Sequence, residues 1–177
     1  MSVKTISSAI LRKHLQSLTK DKLIVTFSKV YSLYPEIGEY FQSLLHTAGK
    51  DEITQKYKKI IHEEFFPARG LPKARLSVVR KAVQQCCKLV DEYKCIDIMV
   101  YYVEQGAKFT MAYGDIDEQF YSSMESMYED AIIRAKRFGL LDNFIPRLRK
   151  IVEDTYGCGW GFYDGLSDTF ETYCSSV

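Results

Sequence analysis

Apolar residues recur every three to four positions along nearly the whole chain, and no run alternates apolar and polar residues between turn signals, so the pattern predicts helices and no strand. The first stripe, Ile10, Leu11, Leu15 and Leu18, follows Ser7, whose hydroxyl can accept a free N–H of the first turn. Thr19 can do the same for a second helix carrying Leu23, Ile24, Phe27, Val30, Tyr31 and Tyr34. Pro35 suits the first turn of a third helix, with Ile37, Tyr40, Phe41, Leu44 and Leu45 as its stripe and Gly49 as its stop. A fourth, from about Asp51, presents Ile53, Tyr57, Ile60, Ile61 and Phe65 and ends at Pro67.

The segment from Ala68 to Arg75 holds two helix breakers, Gly70 and Pro72, and three cations, which marks it as a loop. Ser77 then opens a helix with Val79, Ala82, Val83, Cys86, Cys87 and Val90 inward. A long helix is expected from Lys94 to Tyr113, followed by a turn at Gly114-Asp115-Ile116-Asp117-Glu118 and a return helix to near Gly139. Pro146 is placed in the first turn of the next helix, and Gly157 to Gly161 break the chain before a last amphipathic segment. The fold class so read is all-α, with about nine helices as antiparallel hairpins. Such hairpins can stack as a short α-solenoid-like (HEAT/TPR-like) array, although no internal sequence repeat marks one. One helical domain over residues 1–177 is expected, with a basic N-terminal subdomain, 1–75, and an acidic C-terminal one, 76–177.

Composition adds little to this class but changes the picture of the surface. At 177 residues the chain can bury about two-thirds of its unfolded surface. Its 13 Tyr and 10 Phe against one Trp supply large flat side chains for helix seams or contact surfaces. The net charge of +1 conceals an asymmetry: residues 1–88 hold 16 Lys/Arg against 7 Asp/Glu, and residues 89–177 hold 8 against 16. Such polarity suits head-to-tail self-contacts or the steering of a partner. The N-terminal stretch has no apolar core of a secretory signal, and no run is long and apolar enough to span a bilayer, so a cytoplasmic setting with no membrane partner is expected. Five cysteines without regular spacing are read there as reduced, mostly buried thiols.

Candidate chemistry is sparse. His14, His46 and His62 are isolated, and His62-Glu63-Glu64 places adjacent residues on different helix faces, as at a solvated helix end. Cys86-Cys87 fails the same geometric test and is read as core filling. Gly157-Cys158-Gly159-Trp160-Gly161 follows a helix rather than a strand, so it is read as a C-cap and tight turn that tucks Trp160 into the core, not as a phosphate-binding loop. Asp115 and Asp117 lack the further oxygen ligands of a calcium loop and are expected to cap the following helix. The cations Lys56, Lys58, Lys59, Arg69, Lys73, Arg75, Arg80 and Lys81 gather around the proline loop, where phosphate could bind or where the acidic half of the chain could pair. No catalytic residue, metal ligand or cofactor is assigned from the sequence.

Phe65-Phe66-Pro67, Tyr101-Tyr102-Val103-Glu104 with Phe109, the turn from Tyr113 to Glu118, and Gly157-Cys158-Gly159-Trp160-Gly161-Phe162 together resemble a family of small bacterial proteins classed only as a domain of unknown function. The resemblance spans nearly the whole chain and implies an all-helical fold and a bacterial cytosolic setting, without an activity. The leading functional expectation is a non-enzymatic scaffold or protein-interaction module whose partner is protein, self or other. Its interaction surface is expected among Arg69, Lys73, Arg75, Tyr113, Asp115, Asp117, Trp160, Tyr163 and Asp164. One alternative is nucleic-acid or phosphate-ligand binding through residues 56–81; another is an enzyme whose site forms where the 113–118 and 157–164 turns meet.

Overall fold

The structure is a computed structural model that describes residues 6–45 and 47–174, with side chains for all of these except 36, 42–45, 47 and 48. Nine helices and no strand lie among the described residues. They are α1 (Ser8–Ser17), α2 (Lys20–Leu33), α3 (Pro35–Leu45), α4 (Thr47–Phe65), α5 (Leu76–Cys87), α6 (Glu92–Tyr113), α7 (Glu118–Arg137), α8 (Leu141–Asp154) and α9 (Phe162–Cys174). The chain divides into two compact units, Met1–Leu45 and His46–Val177. His46 and the side chains of Leu44 and Leu45, assigned to the third stripe by periodicity, fall outside the described set.

In the smaller unit the hydroxyls of Ser7 and Thr19 accept the Ile10 and Lys22 N–H groups, each at 3.4 Å, and so start α1 and α2 where the sequence places them. Packing is thin. Neither α1 nor α2 buries a residue, and their apolar side chains Leu11, Leu15, Leu23 and Phe27 line an open groove between the two helices. The best-packed point is Phe41 on α3, whose ring meets Tyr40, Tyr31 and Phe27 edge-on at 6.0, 6.2 and 6.5 Å.

The larger unit is three hairpins, α4–α5, α6–α7 and α8–α9, each packed on the next. Helix α6 lies at the centre, where Phe65 of α4 meets Phe109 at 5.4 Å and Tyr102 at 6.1 Å, all three buried. Helices α6 and α7 approach so closely at Gly106 that a Cβ there would lie 2.2 Å from Met124 Sδ. Buried hydroxyls are spent across seams: Tyr128 donates to Leu148 O at 3.0 Å, and Tyr102 pairs with Ser123 Oγ at 2.8 Å. Arg80 adds hydrogen bonds to Ser123 O and Oγ at 3.1 and 3.2 Å, tying α5 to α7.

Charges cross between the basic and acidic parts of the sequence. Asp97 on α6 receives Lys58 of α4 at 2.7 Å and Arg147 of α8 at 2.6 Å, while Arg147 also reaches Glu104 at 2.7 Å. Burial alone would lower the Arg147 pKa, but these two carboxylates more than offset it and hold the guanidinium firmly charged. Lys50 meets Asp91 at 3.6 Å, and Lys94 pairs with Asp51. The change of charge sign after residue 88 thus falls at the α5–α6 connection, between two helices packed on one another.

Several boundaries differ from expectation, each for a tertiary or capping reason. Gly49 does not end α3; it is buried in the first turn of α4. Helix α6 starts at Glu92 rather than Lys94, because Asp91 accepts the Lys94 N–H at 3.1 Å. Ser77 is not a cap, since the chain enters α5 through Arg75, whose N–H is held by Glu64. Pro146 sits inside α8, which begins at Leu141 and is anchored by buried Leu141, Phe144, Leu148 and Ile151. The expectation of five reduced thiols is corrected: Cys87 and Cys95 form a disulfide across the α5–α6 connection, and Cys86, Cys158 and Cys174 are free. The reading of Cys87 as core filler fails because its position at the end of α5 brings it against the first turn of α6.

Candidate functional site

The two glycine-containing turns meet at one end of the larger unit. Asp117 accepts the Phe120 N–H at 2.7 Å and caps α7, as the sequence suggests, but Asp115 does something else. Its Oδ1 accepts the Gly159 N–H from the opposite turn at 3.2 Å and the Tyr121 hydroxyl at 3.2 Å. The fit requires glycine, because a Cβ on residue 159 would lie 2.6 Å from Asp115 Oδ2. Tyr121 OH also pairs with Thr110 Oγ1 at 2.7 Å and accepts the Ile116 N–H at 3.2 Å, so one buried phenol organises the whole α6–α7 turn. Burial raises its pKa, which keeps it a neutral hydrogen-bonding group.

Beside this latch lies Cys158, 3.6 Å from Met111 Sδ. Burial and then the nearby Asp115 carboxylate push its thiol up, the opposite of what an activated nucleophile needs. The polar groups where the turns meet therefore hydrogen-bond one another.

Trp160 overturns the expectation that it tucks into the core: it is 66% exposed. Its backbone lies in the left-handed region at φ 60, between Gly159 and a Gly161 at φ 71, and this carries the indole outward. A bulky residue in that region costs about 1–3 kcal/mol, which the latched turn must sustain. Tyr156, one residue before the same turn, is 75% exposed, with its ring on Tyr163 at 5.2 Å. Tyr113 is also exposed and leans on Phe109 at 4.8 Å and on Phe66 at 6.4 Å. Asp164 is exposed in the first turn of α9. The structure therefore brings Tyr113, Asp115, Asp117, Trp160, Tyr163 and Asp164 to one end, and adds Met111 and Tyr156, which sequence reading missed. Met111 had a signal: it is apolar at a helix position flanked by Lys108 and Ala112 on the outward face of α6.

The basic loop is a separate feature. Arg75 is bound to Glu64 through Nε at 3.1 Å and Nη2 at 2.5 Å, and the Lys73 and Ala74 N–H groups donate to Glu64 O. The Arg75 side-chain hydrogen bond holds the Glu64 carboxyl below the ordinary range despite its burial. Glu64 is thus a buried anchor for the loop, not the solvated helix end read from sequence, whereas His62 is exposed with Nδ1 2.9 Å from Gln105 Oε1. Arg69 and Lys73 are exposed on the same loop.

Among the described residues, no group of three or more His, Cys, Asp or Glu side chains is arranged to hold a metal ion. Nor is any described helix long and apolar enough to cross a membrane. No curated protein and no solved structure matched this chain. The sequence does match the profile of a family of unknown function over residues 6–173, and the chain belongs to that family, DUF6155.

Proposed function

We propose that the protein is a non-enzymatic, protein-binding helical module. The observation that carries this reading is the exposure of Met111, Tyr113, Tyr156 and Trp160 around a turn fixed by the Asp115–Gly159 hydrogen bond. Exposed aromatic side chains on a rigid support are what binding hot spots are made of, because their contact area costs little conformational entropy on docking. The hairpin-on-hairpin packing of α4 to α9 supports reading the body as a short repeat-like scaffold. The proposal keeps the bacterial, cytoplasmic setting expected from the sequence, in which the Cys87–Cys95 bond is the unusual feature. The test is affinity capture from the native host with wild type and with Tyr156→Ala/Trp160→Ala. Proteins retained by wild type and lost with the variant support the reading; identical eluates, or none, end it.

A second reading, phosphate or nucleic-acid binding, rests on Arg69 and Lys73, exposed beside a glycine turn. It is weakened by Arg75, Arg80 and Lys58, whose charges and donors already serve Glu64, Ser123 and Asp97. Binding of single-stranded or duplex oligonucleotide that falls with salt and is lost in Arg69→Ala/Lys73→Ala would favour it. The enzyme reading of the two turns draws on their proximity alone, and the engaged Oδ1 of Asp115 and the raised Cys158 pKa weigh against it.

A further inference from the structure

The smaller unit presents a problem that its own residues do not solve. Ile10, Leu11, Ile24, Val25, Phe27, Tyr31 and Leu33 of α1 and α2 are all 44% exposed or more, and no residue of either helix is buried. The groove between the helices, about 440 Å³, is lined by Leu11, Leu15, Leu23 and Phe27 with Arg12 at its edge. A concentration of exposed apolar surface of this kind marks a contact face. The same two helices carry Arg12, Lys13, Lys20, Lys22 and Lys29 against Asp21, all exposed, so whatever covers the face must tolerate or seek positive charge.

The Trp160 end of the larger unit has the complementary chemistry. Its two turns and the adjoining helix ends carry, with those exposed aromatic side chains, the exposed carboxylates of Asp115, Asp117, Glu118, Glu153 and Asp164, against an exposed cation, Lys108, beside Met111. Trp160 is the largest outward apolar group there, and the groove of the hairpin is apolar and open enough to receive a ring. We propose that the α1–α2 hairpin of one copy of this chain docks on the Trp160 end of a second copy, so that the protein associates head to tail. This rests on the reading of that end as a contact surface and names its partner. Pairing two α1–α2 hairpins face to face would set like charges against each other, whereas the heterologous contact joins opposite charges. Because such a contact uses two different patches, it can repeat and give species larger than a dimer.

Sedimentation velocity of the full chain over a concentration series tests this, with Lys20→Glu/Lys22→Glu/Lys29→Glu altering the hairpin and Tyr156→Ala/Trp160→Ala altering the other end. All five side chains are exposed, and unchanged far-ultraviolet circular dichroism checks that each variant folds. Wild type should form concentration-dependent species by about 100 µM, weakened by added salt, and each variant should raise the apparent Kd at least about tenfold. An equimolar mixture of the two variants should form a dimer and nothing larger, because one intact hairpin meets one intact end. A monomeric wild type at that concentration overturns the proposal, as does undiminished association of the Tyr156→Ala/Trp160→Ala variant, which would indicate hairpin-to-hairpin pairing. A mixture that stays monomeric, or a monomeric wild type that binds phosphatidylserine vesicles through the hairpin lysines, overturns it too. If wild type is monomeric yet still captures a host protein through Tyr156 and Trp160, the docking of copies falls and the protein-binding function stands. If that variant changes neither assay, both fall.

Discussion

Single residues set the tolerances of this molecule. Gly106→Ala would gain about 1 kcal/mol of helix propensity, but its Cβ would meet the fully buried Met124 sulfur at 2.2 Å, an overpacking that costs about 1–3 kcal/mol. The clash should win, lowering the urea midpoint, and in a Met124→Ala background the same substitution should become neutral or stabilising, a coupling that a double-mutant cycle reads directly. Glu64 supplies a pH dependence. Its folded pKa lies below the ordinary 4.5, so the unfolded chain binds the proton first, and the stabilisation is complete above that value and is lost as pH falls through the depressed one. Urea midpoints of Glu64→Gln should therefore lie below wild type at neutral pH and converge with it in acid. Neither feature was legible in the sequence, where Gly106 is one glycine in a helical stripe and Glu64 one acid of an adjacent pair. Both meanings come from a neighbour far along the chain, Met124 in one case and Arg75 in the other.

At the scale of elements, the starts governed by local chemistry could be read directly. Ser7, Thr19 and Asp117 cap the helices that follow them, and Pro35 opens α3. The boundaries that moved depend on partners a linear pattern does not reveal, as where Glu64 steers the chain into α5 and buried anchors carry α8 through Pro146. The α5–α6 connection is the clearest case, since the disulfide there joins cysteines eight residues apart in sequence. Once Asp91 is known to start α6, Cys95 falls in the first turn and Cys87 at the end of the preceding helix, but that needed the cap first. By loop-closure entropy the bond is worth about 2–3 kcal/mol. Dithiothreitol should lower the denaturation midpoint of wild type accordingly and leave Cys87→Ala/Cys95→Ala unchanged, and thiol titration of the unreduced, unfolded protein should find three free groups rather than five.

For the whole molecule, the all-helical class was legible because helical period is a local property repeated everywhere. The meeting of the two turns was not, because it depends on α8–α9 packing against α6–α7, and the outward Trp160 was misread because a positive φ at a non-glycine residue leaves no mark in sequence. The contrast between a body with buried aromatic seams and a hairpin without buried residues should appear in hydrogen exchange. Amides of α1 and α2 should exchange at least about a hundredfold faster than those of α6 in dilute protein, and slow as concentration rises if copies dock. Trp160, the single tryptophan of the chain, has a use beyond docking. Its indole already faces water, so its emission should be red-shifted in the native protein and change little when the core melts. Any molecule that settles over the 157–161 turn should shift that emission to the blue, which makes the wild-type chain its own unlabelled optical probe of occupancy.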